Sequence, residues 1–192
     1  MCNVFKRERS KPLEDRLSNF LGAHKINLSN DTDIMSICKK LNLTGLYMPL
    51  DDSMDGFILV NKKYRVIAIK DSLEPLDARF LIAHELAHYI TAYDESKDEN
   101  GQILIAARET LVHGENKPAI EHEMDYLAAA ILVPKEQFKR ELDATQIKYG
   151  HLHTESDVVK NIPIQIISEF ATRYRVPKQL IIRRIAEVSY YA

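Results

Sequence analysis

The sequence predicts an α+β fold in which a small three-stranded antiparallel sheet packs on helices and a helical pair follows at the carboxyl end. Short segments rich in β-branched and aromatic residues, separated by turn residues, lie between about 45 and 70. Two longer segments, 76–93 and 119–133, carry apolar residues at helical spacing. Two further helical segments read IPIQIISEFATRYR and PKQLIIRRIAEVSYY.

The composition is that of an ordinary globular protein, with 192 residues, 45% hydrophobic and 28% charged. The sequence contains no apolar run of about 18 residues, the length needed to span a membrane. The opening MCNVFKRERSKPLEDRL lacks the apolar centre of a secretory signal. We therefore expect a cytoplasmic protein with no membrane partner. The net charge of −2 argues against a general nucleic-acid coat. Cys2 and Cys38 form no metal-binding spacing or disulfide framework, so we expect reduced thiols.

Three segments are predicted along the chain: an amino-terminal helical segment at 1–44, a catalytic core at 45–139, and a carboxy-terminal helical segment at 140–192 that packs on the core. The first segment contains two amphipathic stretches, LEDRLSNFLGAH and NDTDIMSICKKLNL. Asn30 and Asp31 are candidate caps for the second of these helices.

The predicted strands span about 45–50, 56–61 and 64–70, because the breaks between them, DDSMDG and NKK, consist of turn residues. Pro75 suits the first turn of the helix that follows. The next segment, DESKDENGQ, is too polar for a core and is predicted to be an exposed loop. Residues 103–118 fit either a short helix or an irregular segment. Pro134 ends the helix at 119–133, and 140–160 is a polar section.

The helix at 76–93 contains His84-Glu85-Leu86-Ala87-His88. Residues four apart on a helix differ by about 40° in direction, so the two imidazoles can face one ion, with Glu85 about 100° round. Zinc accepts neutral imidazole ligands, and a glutamate in this position can take a proton from water. The alternative is a buried helix that happens to carry two histidines, each of which would need a hydrogen bond to offset desolvation.

A catalytic zinc site usually has three protein ligands. The candidates for the third are Glu121, His122, Glu123, His113, His151 and His153. Glu121 and Asp125 share the apolar stripe of the helix at 119–133, whereas Glu123 lies about 200° from Glu121 and is predicted to be solvated. A core-facing carboxylate is costly unless it is paired or binds metal. We therefore predict Glu121 as the third ligand and Asp125 as the acceptor of a ligand histidine N–H; acidic residues favoured at a helix start are the alternative.

The segments ARFLIAHELAHYI and EHEMDYLAAAILVP together resemble the two signatures of the ImmA/IrrE family of metallo-endopeptidases. The resemblance runs from about residue 45 to 188. It implies a zincin-like catalytic domain in which His84, His88 and Glu121 bind Zn²⁺ and Glu85 is the catalytic base. Met124 and Tyr126 depart from the family pattern at positions that affect packing more than chemistry.

The predicted function is hydrolysis of a peptide bond by a zinc endopeptidase. Candidates for stabilising the oxyanion are Tyr89, Tyr93, His113 and His122, and a peptide substrate could bind along a sheet edge. Some members of the family cleave a helix-turn-helix repressor of a mobile element or stress response. The resemblance therefore implies a transcriptional repressor of that kind as the protein substrate, cleaved selectively at one site.

Two other functions fit the sequence. The carboxy-terminal helical pair has the outline of a helix-turn-helix, which would make the chain a DNA-binding regulator. Its basic residues are Arg173, Arg175, Lys178, Arg183 and Arg184. The same pair could instead pack on the core with a solvated basic face, which is the interpretation we favour. The second function is a catalytically silent protein that binds a partner and keeps a structural zinc ion.

Overall fold

The computed structural model describes residues 7–30, 32–92, 105–109 and 118–189. Within these ranges the fold is α+β, as predicted, with eight helices and four strands. In chain order the elements are α1 (Arg7–Ala23), α2 (Ile34–Lys40), β1 (Thr44–Met48), β2 (Gly56–Val60), β3 (Arg65–Lys70), α3 (Pro75–Ala92), β4 (Ile105–Glu109), α4 (Ala119–Leu132), α5 (Lys135–Ala144), α6 (Glu155–Asn161), α7 (Ile164–Tyr174) and α8 (Lys178–Ser189).

The strands form one mixed sheet in the order β1-β3-β2-β4. A tight turn joins β2 to β3, and the Asn61 carboxamide oxygen accepts from the backbone N–H groups of Lys63 and Tyr64, each at 2.8 Å. Strand β1 runs parallel to β3, whereas β2 is antiparallel to both β3 and β4. The prediction of three antiparallel strands was wrong in two respects: β1 pairs in parallel because it joins the far side of β3 rather than β2, and a fourth strand lies in the stretch that was ambiguous.

Helix α3 packs across β2, β3 and β4 on one side and against α4 on the other. The buried face of the sheet includes Ile58 and Ile67, and the helix supplies Leu81 and Leu86. A Cβ atom at Gly56 would lie 2.8 Å from Leu81 Cδ2, so glycine permits the close approach of β2 to α3. The result is a rigid platform that holds α3 in place beneath α4.

Helix α1 packs on both α3 and α4. Its Leu13, Leu17 and Phe20 are buried in the core. The hydroxyl group of Tyr126, on α4, donates a hydrogen bond to Glu14 of α1. The amino-terminal helix is therefore part of the same packed unit as the two central helices.

Helix α2 begins at a different cap from the one predicted. Asp33 is the capping residue, and its Oδ1 accepts from the backbone N–H of Met35 at 3.1 Å. Asn30 instead donates its backbone N–H to Gln137 of α5 at 3.2 Å, and Asp31 lies outside the described residues. Asp33 directly precedes the first buried residue of the helix, which is where a cap is most effective.

Helices α5 to α8 follow α4, and α8 packs against both α6 and α7. The polar section at 140–160 contains α6, whose start is a capping box between Thr154 and Asp157. Arg184 of α8 is 1% exposed, and its Nε–H donates to the carbonyl of Val133 at the end of α4, at 3.0 Å. This contact secures the last helix to the end of α4.

Among the described residues, no helix combines the length and the apolar character needed to cross a membrane.

Candidate metal centre

Helix α3 carries His84, Glu85 and His88 in its central turns, where the backbone hydrogen bonds are complete and the side-chain directions are fixed. His84 is 1% exposed and Glu85 is fully buried. The imidazole rings of His84 and His88 stand 5.1 Å apart between centroids. One helix therefore presents two ring nitrogens and a carboxylate within a nearly dry environment.

Helix α4 brings Glu121 to the same point. Its Oε2 atom lies 3.0 Å from Nε2 of His84 and 3.4 Å from Nε2 of His88. One potential ligand atom from each of the three residues lies within 4.8 Å of the other two. The structure thus brings together the three side chains that the sequence predicted as a ligand set.

The donor set and its spacing fit a divalent metal ion. Tetrahedral coordination with bonds of about 2.0–2.1 Å places ligand atoms about 3.3 Å apart, close to the observed separations. The buried Nε2 atom of His88 makes no hydrogen bond within the described part of the chain. It lies near Glu121 Oε2 without hydrogen-bond geometry, so a ligand role would satisfy an otherwise unbonded atom.

His84 provides a second argument for a cation. Its Nδ1 atom is 3.0 Å from Asp125 Oδ1, while its Nε2 atom faces Glu121. A neutral imidazole carries a proton on only one nitrogen, so it can donate to only one of these two carboxylates. A metal ion between Nε2 and Glu121 would satisfy the second contact. Nitrogen and oxygen ligands of this kind suit zinc.

Asp125 lies one turn after Glu121 on α4, on the buried stripe that the sequence indicated. By accepting the Nδ1–H of His84 it fixes the tautomer that leaves a lone pair on Nε2. Its other oxygen, Oδ2, lies 3.8 Å from Nη1 of Arg183 on α8. Arg183 belongs to the basic face predicted from the sequence, but this contact could not be predicted, because spacing within α8 does not show which helix that face meets.

Residues 38–186 match the family model Peptidase_M78, described as the IrrE N-terminal-like domain. The chain belongs to this family. Its fold is similar to that of a Mycobacterium tuberculosis transcriptional regulator, with a TM-score of 0.52 and 16% sequence identity. That match covers 91% of this chain and 46% of the regulator, so the chain spans about half the length of that structure. No curated protein matches the sequence.

Membership in the IrrE N-terminal-like family, a family of peptidases, supports a metallopeptidase-type function for the domain. The His84, His88 and Glu121 group has the geometry of a metal site within it. The remaining ligand candidates lie elsewhere. Glu123 and His122 are half-buried on α4, outside the group, so Glu123 keeps partial contact with solvent. His151 and His153 are exposed, and His113 lies outside the described residues.

Of the residues predicted to stabilise an oxyanion, the structure of this IrrE N-terminal-like domain describes only Tyr89 and His122. Tyr89 is buried, and its hydroxyl oxygen accepts from Nη2 of Arg65 on β3 at 2.9 Å. The Tyr89 ring packs edge-on against Phe20 of α1, 6.0 Å between centroids. These contacts place the Tyr89 side chain between α1 and β3, where it has a packing role. His122, next to Glu121, is half-buried, whereas Tyr93 lies outside the described residues.

Proposed function

We propose that this chain is a zinc-dependent endopeptidase in which His84, His88 and Glu121 hold the metal and Glu85 is the general base. The observation that carries the proposal is the convergence of both imidazole Nε2 atoms on one oxygen of Glu121 inside a peptidase-family fold. A zinc ion bound there would act as a Lewis acid, polarising the scissile carbonyl and lowering the pKa of water.

The role of Glu85 follows from its position beside His84 on α3. Its carboxylate takes a proton from the attacking water and delivers it to the nitrogen of the leaving amine. The residue is fully buried, which keeps bulk water from competing for that proton. Glu85→Gln keeps the shape of the side chain and removes the basic oxygen, so it is the natural control for every activity assay.

Asp125 supports the reaction by orienting a ligand. The contact of 3.0 Å between Oδ1 and Nδ1 of His84 keeps the imidazole in the tautomer whose Nε2 can bind metal. It also limits rotation of the ring, since both nitrogens are then engaged. In this proposal the side chain never exchanges protons with substrate.

The proposed substrate is a transcriptional repressor with a helix-turn-helix, cleaved at one site in the cytoplasm. The support is the resemblance to the ImmA/IrrE metallo-endopeptidases, some of which relieve repression by such cleavage. The test incubates the purified zinc form with the repressor encoded nearest to it, with Glu85→Gln as control and casein as a generic substrate. We expect slow, metal-dependent cleavage of the repressor at one site and little digestion of casein. Rapid digestion of casein would contradict selectivity, and cleavage by Glu85→Gln would contradict the general-base role.

A second candidate function is DNA-binding regulation, which two observations favour. Helices α7 and α8 flank a three-residue turn, and the structurally similar protein is a transcriptional regulator. However, at least three of the five basic residues of this pair are engaged within the described part of the protein. Arg184 is buried, Arg173 binds two glutamates, and Arg183 faces Asp125 and another carboxylate. We therefore favour the peptidase.

DNA binding is measured by fluorescence anisotropy with duplex DNA over a range of salt concentrations. A DNA-binding regulator that neutralises several phosphates would lose affinity steeply with salt. Tight, zinc-independent binding with such a slope would favour the regulator over the peptidase. Zinc binding without cleavage of any repressor would instead favour a partner-binding protein with a structural metal ion.

A further inference from the structure

Arg183 lies on α8 and contacts Asp125, the residue that contacts the ligand His84. Its Nη1 atom is 3.8 Å from Oδ2 of Asp125, and its Nε atom is 3.9 Å from Oε1 of Glu155 on α6. The guanidinium group therefore lies between carboxylates from two different helices. Its side chain is 30% exposed, and that of Asp125 is 12% exposed.

The two oxygens of Asp125 are divided between two partners. Oδ1 accepts from His84, and Oδ2 faces Arg183. A carboxylate with one oxygen engaged can still rotate about its terminal torsion, which is soft in aspartate. A positive charge beside the second oxygen restricts that rotation, so it also restricts the direction in which Oδ1 meets His84.

The network continues beyond Arg183. Oε2 of Glu155 accepts from Nε2 of Gln179, one turn before Arg183 on α8, at 2.5 Å. Glu155 is thus held by α8 on one oxygen and faces the guanidinium group with the other. Because α6 and α8 pack against each other, the position of the guanidinium group is set by the carboxy-terminal helices rather than by α4.

The charges around the site also suit a positively charged side chain beside Asp125. The site gathers three carboxylates, Glu85, Glu121 and Asp125, in a mostly buried region around two histidines. Arg183 adds a positive charge at the edge of this cluster, next to Asp125, whose carboxylate does not belong to the ligand set. A guanidinium group stays charged at all relevant pH values, so this contribution is permanent.

We propose that Arg183 is a positioning residue for the metal centre: it holds the carboxylate of Asp125 and through it directs Nε2 of His84 toward the metal. This inference rests on the metal site of the proposed function and extends it to the carboxy-terminal helices. The ion pair is long and partly exposed, so its effect is smaller than that of Asp125 itself. Removing Arg183 weakens zinc affinity about fivefold, the upper end for a pair of this kind.

The test measures zinc affinity of the full chain by competition with a chromophoric chelator. Arg183→Gln is expected to raise the zinc dissociation constant about fivefold, and Arg183→Lys, which keeps the charge, is expected to recover part of the loss. The matched control is Arg173→Gln, which removes a partly exposed arginine from ion pairs on α7 and α5. It should leave zinc affinity unchanged.

A double-mutant cycle separates positioning from general destabilisation. If Arg183 acts through Asp125, then Arg183→Gln has no further effect in an Asp125→Ala background. Equal weakening in both backgrounds, or unchanged zinc affinity in Arg183→Gln, would overturn the proposal. Thermal unfolding of the metal-free variants checks the fold, and Arg183→Lys replaces Arg183→Gln in the cycle if Arg183→Gln fails to fold.

The outcomes also separate this inference from the proposed activity. If the wild-type chain binds zinc and the cycle shows coupling, the positioning role stands even if no repressor is cleaved. If the wild-type chain cleaves a repressor but Arg183→Gln binds zinc normally, only the positioning role fails. A wild-type chain that binds no zinc overturns both.

Discussion

Replacing Glu121 by alanine tests the metal centre most directly, because one oxygen of this residue faces both histidines. The change removes Oε2, which lies 3.0 Å and 3.4 Å from the two imidazole nitrogens, and leaves two histidines four residues apart. Structural zinc sites with four ligands bind with about 10–16 kcal/mol at neutral pH. An even division gives about 3 kcal/mol for one ligand, which corresponds to a loss of zinc affinity on the order of 100-fold.

The matched control is Glu123→Ala. It lies on the same helix, removes the same charge and is half-buried, but it lies outside the ligand group. We expect the zinc affinity of Glu123→Ala to remain within about twofold of wild type, because the side chain belongs to no ligand group. Any general effect of removing negative charge from the start of α4 therefore appears in both variants and cancels in the comparison.

Two measurements check the prediction. Chelator competition gives the dissociation constant for zinc, and thermal unfolding with and without zinc gives the stabilisation that binding supplies. At a free zinc concentration of about 100 times the dissociation constant, binding stabilises the fold by about 2.7 kcal/mol. For a chain of this size that corresponds to an increase in Tm of roughly 5–10 °C. With a 100-fold weaker site, the same zinc concentration equals the dissociation constant, so the increase should fall to about 1 °C in Glu121→Ala. It should persist in Glu123→Ala. Equal losses in the two variants would refute the assignment of the ligand from helical phase.

Three further predictions concern two residues of the site and the buried thiol of α2. Glu85→Gln should retain zinc at the wild-type level by mass spectrometry while losing cleavage, and loss of the metal would show that Glu85 is a ligand instead. Asp125→Ala should weaken zinc affinity or activity by about 10- to 100-fold, and an effect below twofold would remove Asp125 from the site. Burial raises the pKa of the Cys38 thiol to about 12, so in a Cys2→Ser variant the folded protein should resist iodoacetamide at pH 9. The unfolded thiol ionises near pH 9 while the folded thiol stays protonated, so unfolding free energy should fall as pH rises from 9 toward 12; rapid alkylation of the folded variant would contradict this.

The metal centre could be predicted because its geometry is largely local. His84 and His88 on one helix, and Glu121 and Asp125 on another, are related by the fixed turn of the α-helix, so phase alone turns each pair to one side. The two pairs could be expected to face each other, because a carboxylate on an apolar stripe needs a partner when it is buried. The observed contact of 3.0 Å between His84 and Asp125 agrees with that reasoning.

The parts that the sequence left undetermined depend on pairing between distant segments. Nothing within β1 shows that it joins β3 in parallel rather than β2 in the antiparallel sense. Two missed helices did leave local signals: Thr154 and Asp157 form a capping box at the start of α6, and Phe138 and Leu142 lie four apart on the buried side of α5. These signals were outweighed by the polar composition of the section. The role of Arg183 had no such signal, because its partners lie on other helices.

Because α1 packs on α3 and α4, the folded domain begins earlier in the chain than the region that matches the family. The family match begins at residue 38, beyond the end of α1. Yet Leu13, Leu17 and Phe20 are buried, and burying three such side chains contributes about 6 kcal/mol, comparable to the whole stability of many domains. A chain that began at residue 38 would therefore expose apolar surface on α3 and α4. It would also lose the hydrogen bond from Tyr126 to Glu14. In this protein, the segment with the least family resemblance helps to hold together the two helices that carry His84, His88 and Glu121.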